Sequence, residues 1–360
     1  MSKIISIGTA VPAYCHQQND IFEFMQNVYA GTEADKRKMR FLYAQSGIKQ
    51  RYSVVPDYSR PLSEWKFYPQ SENLEPFPSL EQRMTIFNKN APLLSVDAAR
   101  NCLHDNIHHS EITHLITVSC TGMSAPGLDL QLMDLMDLEK NIFRTSVNFM
   151  GCYAAIHALK MADAFCKTEQ DAKVVIVCTE LSTLHFQREA TMDNIASSLL
   201  FGDGAAAVLV TADNNPLPGL HINNFHSQVI QKGRRDMAWE LSSSGFLMTL
   251  SGYVPDLIEE DFGNIVNQAL EKEGWNMADI SHWCIHPGGK RILESIQKSV
   301  GLQRQQLQES YQVLWNYGNM SSVSILFVLK EILQTKSRKK IFSAAFGPGL
   351  TVETFTSSTN

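Results

Sequence analysis

The sequence predicts an α/β protein made of two related halves. Two observations support this: apolar, β-branched runs alternate with longer segments of helical character, and landmarks late in the chain repeat the spacing of earlier ones. Strands that alternate with helices are typical of α/β folds. A chain of 360 residues is long enough for two domains, or for one large domain of duplicated halves.

The predicted strands are short runs rich in valine, isoleucine and alanine. They lie at 3–10, 113–122, 172–180, 205–212 and 340–349, and helical segments lie at 95–105, 152–166, 262–274 and 321–334. The helix that starts at Cys152 has no polar face, so we expect it to be buried at the centre of the molecule. Residues 55–79 combine five of the 13 prolines with five aromatic residues, which predicts a packed loop without regular structure.

The repeat relates two helix starts. Ser119 and Cys152 are 33 residues apart, and His286 has the same separation from Asn319. In each half a strand-like run follows 22 residues later, at 174 and at 341. Matching spacings indicate two copies of one supersecondary plan. We therefore expect Cys152 and Asn319 to occupy equivalent helix starts near the centre of the molecule.

Composition excludes several classes of protein. The net charge of −6 argues against a nucleic-acid or anionic-membrane partner. No apolar run is long enough for a transmembrane helix, and the N-terminus lacks the apolar region of a signal peptide. Seven scattered cysteines without a CxxC pair argue against a disulfide framework and against a zinc site. These features predict a cytoplasmic protein without a metal.

Three reactive residues lie at predicted strand ends or helix starts, where α/β proteins place their sites: Cys152, His286 and Asn319. Each has a plain structural interpretation, as a small buried hydrophobe, a structural histidine and a helix N-cap. Alternatively, the positive end of the helix dipole lowers the pKa of Cys152 and stabilises a thiolate. Together the three supply a nucleophile, an imidazole that keeps it ionised and an amide donor for an oxyanion.

Two enzyme classes use this set of groups. A papain-like hydrolase has the same order, and its histidine follows the cysteine by ~130–150 residues; the separation here is 134. However, the surroundings of Cys152 lack the CGSCW-type motif of that class. The second class is an acyl-transferring condensing enzyme that forms carbon–carbon bonds. A third interpretation is a non-enzymatic interaction protein in which Cys152 is buried and unreactive.

The flanking motifs decide between these interpretations. They are GTAVP at 8–12, IKQRY at 48–52, SCTGMSAPGLDLQL at 119–132, GCYAA at 151–155, LLFGDGAAAVLV at 199–210, HPGGKRIL at 286–293, YGNMSS at 317–322 and FGPGLTVET at 346–354. In these motifs and in their order the chain resembles the type III polyketide synthases, the chalcone synthase-like branch of the thiolase superfamily. The resemblance implies a thiolase fold: five αβαβα layers from two pseudo-duplicated halves, 1–225 with the cysteine and 226–360 with the histidine and asparagine.

The resemblance also implies a reaction and a homodimer. Cys152 accepts an acyl group from an acyl-CoA starter, and His286 and Asn319 stabilise the enolate formed from malonyl-CoA. Repeated condensation and cyclisation then give a pyrone, a resorcinol or a related phenolic, with no metal or redox cofactor. The alternatives are a β-ketoacyl synthase that stops after one condensation and a thioester hydrolase that uses the same three residues.

By resemblance, nine positions bind the growing chain. Phe201 corresponds to a gating residue, and Met248 replaces a second gating phenylalanine of plant members. Trp239 replaces a glycine, and Cys120 and His185 replace two threonines, which looks more like bacterial members than like chalcone synthase. The full set is Cys120, His185, Phe201, Trp239, Met248, Ser321, Gly347, Pro348 and Gly349.

The resemblance assigns coenzyme A binding to Lys38, Gly288 and Gly289. Two further basic positions of the family are not basic here, because Phe41 stands where an arginine is expected and Gln45 where a lysine is expected. The phosphate site on this predicted helix is therefore only partly matched.

Overall fold

A computed structural model of the protein describes residues 2–29, 31–71, 73–334 and 338–359. In the first half the strands are β1 (Ser2–Ala10), β2 (Tyr14–Gln17), β3 (Gln50–Ser53), β4 (His114–Ser119), β5 (Phe143–Asn148), β6 (Lys173–Leu181) and β7 (Asp203–Ala212). The helices of this half are α1 (Gln18–Tyr29), α2 (Glu33–Gln45), α3 (Leu80–Leu103), α4 (Leu128–Leu135), α5 (Ala154–Thr168) and α6 (Met192–Leu200).

The second half has six strands: β8 (Leu220–Val229), β9 (Met237–Ser242), β10 (Gly245–Leu250), β11 (His282–Ile285), β12 (Lys340–Gly347) and β13 (Thr351–Ser358). Its helices are α7 (Val254–Glu271), α8 (Lys290–Val300), α9 (Gln308–Tyr317) and α10 (Ser324–Leu333). Short 3₁₀ turns connect several of these elements, and two of them, at Gly151–Tyr153 and Ser321–Val323, lead directly into α5 and α10.

The sheet order confirms the internal repeat. The first half-sheet has the order β5-β4-β6-β7-β1, and the second has the order β11-β12-β13-β8. In both, a parallel pair (β4 with β6, β11 with β12) is followed by two antiparallel pairs. The two half-sheets are joined where β1 pairs with β8 over three residues, from Ser2 to Ile4. The helices α5 and α10 take the same place in the two halves.

Three apolar cores separate the layers. Alternate residues of β6 face opposite sides, because side chains along a strand alternate: Val174 and Ile176 join the central core, and Val175 and Val177 the outer one. In the same way β12 contributes Ile341 to the central core, where α5 and α10 lie between the two half-sheets, and Phe342 to a third core beneath α7 and α8. The order of layers is helix, sheet, helix, sheet, helix, as predicted.

Two helices are longer than their sequence patterns indicated. Helix α3 begins at Leu80 because Ser79 and Gln82 form a capping box, in which the Ser79 hydroxyl accepts from the Gln82 N–H and the Gln82 side chain accepts from the Ser79 N–H. It continues through Pro92. Helix α7 begins at Val254, with proline in its first turn, where a missing N–H costs no hydrogen bond.

The proline-rich segment is a packed loop, as predicted, and its described residues include two 3₁₀ turns. Its residues Tyr58 and Tyr68 are buried and joined by a 2.8 Å hydrogen bond between their hydroxyls. Both rings pack against Phe24 of α1. The loop therefore closes the outer core over α1.

Candidate active site

Cys152 lies in the 3₁₀ turn that leads into α5, at the boundary between the half-sheets. Gly151 has φ of +79°, and a Cβ there would lie 2.1 Å from Cδ of Pro348, so only glycine fits. On the other side, a Cβ on Gly347 would lie 2.6 Å from the ring of Tyr153. The Gly347–Pro348–Gly349 turn, predicted to bind the growing chain, is thus packed against the turn that carries Cys152.

Asn319 lies just before the Ser321–Val323 turn that leads into α10, whereas Cys152 lies within the corresponding turn before α5; the predicted equivalence therefore holds for the two turns and not residue for residue. The N–H of Asn319 donates to the carbonyl of Leu200 and its carbonyl accepts from the N–H of Gly202, each at 2.9 Å. These bonds form a parallel bridge between Asn319 and Phe201. Gly318, with φ of +68°, permits the turn before Asn319. The two halves of the chain therefore meet between the predicted gate and the predicted oxyanion donor.

A buried arginine, Arg51, which the sequence analysis did not single out, packs against the bridge between Phe201 and Asn319. The stem of Arg51 passes beside Gly318, where a Cβ would lie 2.7 Å from its Cδ. Its guanidinium donates to the carbonyl of Phe201 at 2.5 Å and to the side chain of Gln18 at 3.0 Å. Arg51 thus fixes the backbone on which Phe201 and Asn319 are placed.

The Asn319 amide is held in one orientation. Its Oδ1 accepts from the N–H of Ser321 at 2.8 Å, and its Nδ2 donates to the carbonyl of Gly288 at 3.2 Å. An amide nitrogen carries two hydrogens, so the second one is directed to the Cys152 sulfur and can pass to a ligand. Gly288 follows His286 by two residues, and this hydrogen bond therefore ties the asparagine to the histidine loop.

His286 directly follows β11, and its N–H donates to the carbonyl of Ala344 at 2.9 Å. The side chain is buried, and neither ring nitrogen has a hydrogen-bond partner among the described residues. Burial lowers the pKa of His286 to about 3, so the imidazole is neutral in this state. A buried polar group without a partner costs free energy, and such a group is expected where a substrate supplies the missing bond.

The expectation that the helix start lowers the pKa of Cys152 is wrong for this state. Burial raises the pKa of the Cys152 thiol to about 12, and the carboxylate of Glu180 adds to the rise. Hydrogen bonds from Ser321 and Asn319 oppose it and are weaker. Cys152 and His286 are therefore both neutral here, and the described contacts contain no hydrogen bond between them.

Glu180, at the end of β6, is a second residue that the sequence analysis missed. It is fully buried and accepts hydrogen bonds from the Cys120 N–H at 2.9 Å, the Thr121 hydroxyl at 2.8 Å and the Ser322 hydroxyl at 2.9 Å. Burial raises its pKa to about 7, although these bonds act in the opposite direction. The sequence could have indicated Glu180 as a site residue, because it is a single carboxylate at the end of an otherwise apolar strand.

Cys120 lies between Glu180 and the Gly151–Tyr153 turn that carries Cys152. Its sulfur accepts from the N–H of Gly151 at 3.0 Å, and burial raises the pKa of its thiol. Its carbonyl accepts from Nε1 of Trp239 at 2.7 Å. The predicted cavity residue Cys120 therefore contacts both the turn of Cys152 and the cavity wall.

Four of the predicted cavity residues line one cavity of about 590 Å³, which includes the part open to solvent: His185, Phe201, Trp239 and Met248. The sequence analysis did not name the rest of its wall, which includes Ile21 and Met25 of α1 and Ser197 and Ser198 of α6. No local motif marks these positions, because they reach the cavity only through the packing of α1 and α6.

The two bulky cavity residues are fixed in place. His185 donates from Nε2 to the carbonyl of Thr121 at 2.7 Å and accepts at Nδ1 from the N–H of Phe246 at 3.2 Å. Burial lowers the pKa of His185 to about 3, so it is a neutral wall of the cavity. Trp239 lies opposite Met248 in the β9–β10 pair. These contacts limit the width of the cavity near Phe201, the predicted gating residue.

The residues assigned to coenzyme A lie in two places. Lys38 is on α2, and its ammonium lies 3.8 Å from the sulfur of Met192 on α6. Gly288 and Gly289 lead into α8, and Gly289 is its N-cap without a side-chain cap. Phe41, at the position where the resemblance expects an arginine, is 66% exposed.

Within the described residues, no group of three His, Cys, Asp or Glu side chains is arranged to hold a metal ion. In that same part of the chain, none of the helices has the length and apolar character required to cross a bilayer.

The chain has two fused halves, each of which contains a βαβ unit. Cys152 lies at one helix start and Asn319 lies close to the other. This arrangement is typical of the thiolase fold. Sequence models of one family match nearly the whole chain: the N-terminal domain of chalcone and stilbene synthases matches residues 1–214, and the C-terminal domain matches residues 221–359. The chain belongs to this family of chalcone and stilbene synthases.

Individual relatives agree with this assignment. Probable polyketide synthase 1 of Dictyostelium discoideum is 30% identical over 363 residues, which cover 98% of this chain but only 11% of that much longer protein. Two crystal structures each have a TM-score of 0.92 and 28% identity. One is PKS-I of the brown alga Ectocarpus siliculosus (100% of this chain, 98% of that one), and the other is the C-terminal type III polyketide synthase domain of Steely1, a type I/III hybrid from Dictyostelium (99% of each).

Proposed function

We propose that the protein loads an acyl-CoA starter on Cys152, extends it with malonyl-CoA and cyclises the product. The observation that supports this best is the meeting of the two helix starts, which brings Cys152, Asn319 and the unpartnered His286 to one buried place. The starter, the number of extensions and the product are part of the proposal.

Loading begins with proton transfer from the Cys152 thiol to His286. The sulfur attacks the thioester carbonyl of the starter, the bond to the CoA sulfur breaks, and the CoA thiolate takes the proton from His286. Because burial disfavours both charged forms beforehand, the thiolate–imidazolium pair forms only with a bound thioester. The Ser321 and Asn319 hydrogen bonds support the thiolate once it forms.

Extension requires stabilisation of an enolate. The carbon–carbon bond to the malonyl carboxylate breaks, CO₂ leaves, and the electron pair passes to the thioester oxygen. The Asn319 amide hydrogen that does not bond to Gly288, and an N–H of His286, are donors for that oxygen, and such donors each contribute roughly 3 kcal/mol to lowering a barrier. The enolate carbon then attacks the acyl carbonyl on Cys152, which releases the sulfur and lengthens the chain by two carbons.

The cavity wall favours an aliphatic acyl starter. Trp239 and His185 narrow the space beside the gate, whereas Ile21, Met25 and Met248 supply flexible or apolar surface further along the wall. Cyclisation of the extended chain then gives a pyrone, a resorcinol or a related phenolic. No metal or redox cofactor takes part in this proposal, and the starter arrives on coenzyme A.

We also propose that the enzyme is a cytoplasmic homodimer. Strand β5 is at the open edge of its half-sheet, paired only with β4. Near this edge several large apolar side chains are exposed, among them Phe143 at 64% and Met123 at 51%. Exposed strand edges and apolar patches mark association surfaces. We expect Phe143→Asp to give monomers in sedimentation, and the equally exposed Phe41→Asp to leave dimers; a monomeric wild type would contradict this proposal.

Intact-protein mass spectrometry after incubation with hexanoyl-CoA tests loading. The wild type is expected to gain one hexanoyl group, Cys152→Ala none, and Cys166→Ala, on the same helix, the same as the wild type. Asn319→Leu is expected to load normally but to release CO₂ from malonyl-CoA roughly 100-fold more slowly or worse. A hexanoyl group that is hydrolysed to the free acid, with no CO₂ released from malonyl-CoA, would instead indicate the thioester hydrolase.

A further inference from the structure

We propose that a buried ion cluster around Glu353 holds the Gly347–Pro348–Gly349 turn against Cys152 and thereby sets the rate of chain extension. This inference rests on the proposed function. The cluster, here called the Glu353 cluster, consists of Glu353 on β13, His157 and Lys160 on α5, and Ser227 on β8. It therefore joins the helix that follows Cys152 to two strands of the second half.

Glu353 is the centre of the cluster, and its side chain is 3% exposed. One carboxylate oxygen lies 3.1 Å from Nε2 of His157. The other accepts from the hydroxyl of Ser227 at 2.6 Å and pairs with the ammonium of Lys160. Lys160 also donates to the hydroxyl oxygen of Ser227 at 2.5 Å. Because both carboxylate oxygens have partners, the side chain is held in one orientation.

The place of this carboxylate is unusual for its strand. Phe355, two residues further along β13, and Ala345, the cross-strand neighbour of Glu353, both belong to the central apolar core. A buried ion pair contributes little stability compared with apolar side chains that fill the same space, but removal of one partner leaves a costly unpaired charge. The benefit of the cluster is therefore a fixed geometry. Residues that break a local pattern in this way are expected at functional sites.

Tyr153 connects the Glu353 cluster to the catalytic cysteine. It directly follows Cys152, and its ring packs against that of His157, with the centroids 5.5 Å apart. The same ring packs against Gly347, where a Cβ would lie 2.6 Å from it, and the hydroxyl interacts with the side chain of Thr351. Gly347 and Thr351 are paired in the β12–β13 ladder. Tyr153 therefore contacts both strands of the hairpin that carries the turn.

The turn that is held in this way lies against the backbone of Cys152. A Cβ on Gly347 would lie 3.3 Å from the backbone nitrogen of Cys152. In the proposed extension step the enolate carbon must come within about 3–3.5 Å of the acyl carbonyl on Cys152, and a displacement of about 1 Å can slow such a step roughly 100-fold. Loading depends on Cys152 and His286 and needs no growing chain along the turn. Extension should therefore be the more sensitive step.

Kinetics of Lys160→Met test this inference, because methionine fills the space of the lysine stem and removes the ammonium. We expect kcat for the consumption of malonyl-CoA to fall roughly tenfold, with KM unchanged. Loading of a hexanoyl group on Cys152 should be unaffected. Lys160→Arg should keep most of the wild-type kcat, because a guanidinium can pair with the same carboxylate.

Lys167→Met is the matched control. Lys167 lies on the same helix and pairs at 2.6 Å with Asp163, which is also buried but accepts from the hydroxyl of Ser2 in the first half of the chain. This variant should keep both kcat and KM. An unchanged kcat in Lys160→Met would overturn the inference. An equal loss in Lys160→Met and Lys167→Met would also overturn it, because the ion pairs would then act only on the stability of α5.

Hydrogen exchange measured by mass spectrometry separates this inference from the proposed function, because it needs no turnover. In Lys160→Met the amides of residues 347–352 should exchange roughly tenfold faster than in the wild type, and those of β7 should not change. Faster exchange at the turn in a chain that makes no polyketide supports the positioning of the turn and rejects the function. Unchanged exchange at the turn in a chain that makes polyketides rejects the Glu353 cluster alone.

Discussion

Replacement of Glu180 by glutamine tests the electrostatics of the buried site. The side chain keeps its size, and its oxygen can accept from the Cys120 N–H and the Thr121 hydroxyl, as one carboxylate oxygen does now. The new amide can donate to the hydroxyl of Ser322, which is free to rotate. The substitution therefore removes a buried charge without emptying the site.

The size of the effect follows from the pKa of Glu180, which burial raises from an ordinary 4.5 to about 7. A carboxyl group that binds its proton more tightly when folded stabilises the fold most below pH 4.5, and that contribution is lost as the pH rises through about 7. Each pKa unit corresponds to about 1.4 kcal/mol, so the full loss is about 3 kcal/mol. Glutamine does not titrate, so the Glu180→Gln variant does not lose this stability as the pH rises.

Urea denaturation of both proteins between pH 4.5 and pH 8 measures this difference. Glu180→Gln is expected to match the wild type at pH 4.5 and to exceed its free energy of unfolding by about 3 kcal/mol at pH 8. Glu353→Gln is the control with opposite sign. Burial raises the pKa of Glu353, but hydrogen bonds from His157, Lys160 and Ser227 outweigh this and lower it. Glu353→Gln should therefore be less stable than the wild type across this whole pH range, and the difference should shrink only below pH 4.5. Parallel stability curves for Glu180→Gln and the wild type would refute the reasoning.

Three further substitutions test other parts of the account. Gly151→Ala should cost about 2 kcal/mol or more of stability in urea denaturation, since its Cβ would overlap Pro348 at a positive φ, and a loss under about 0.5 kcal/mol would contradict the packing described. Ser321→Ala should slow alkylation of Cys152 by iodoacetamide at pH 8 roughly tenfold, because it removes a hydrogen bond that lowers the thiol pKa; equal rates would contradict this. Trp239→Ala should enlarge the cavity and shift the product masses towards longer starters or more extensions. Unchanged product masses would show that Trp239 does not limit the size of the product.

Much of the fold could be predicted from the sequence because corresponding landmark residues in the two halves are separated by the same number of positions. The repeated spacing corresponds in the structure to equivalent strands, since β4 and β11 end near Ser119 and His286, and β6 and β12 begin at Lys173 and Lys340; the two helix starts are equivalent as turns, but Asn319 lies ahead of its turn and Cys152 within its own. Apolar runs without a polar face correctly indicated strands and helices buried on both sides. The bounds of α3 and α7 differed because capping by Ser79 and a proline in the first turn extend helices beyond their apolar patterns.

The candidate site was predictable only where a residue type and a local motif coincide. The cysteine, histidine and asparagine meet that condition, and the expected gating role of Phe201, which lines the cavity, comes from the family motif. Arg51 lies within the IKQRY motif, but its role was not predicted, because that role depends on how its stem passes Gly318. The direction of the pKa shift of Cys152 was predicted with the wrong sign, since burial of the thiol outweighs the effect of the helix start.

The central claim is that Cys152 builds a polyketide from malonyl units. Mass spectrometry of products from ¹³C-labelled malonyl-CoA with a panel of acyl-CoA starters, for the wild type and Cys152→Ala, tests it most directly. The account predicts labelled products whose masses exceed the starter by whole two-carbon units, made by the wild type and absent from the variant. Free starter acids as the only products, with no labelled carbon, would contradict it.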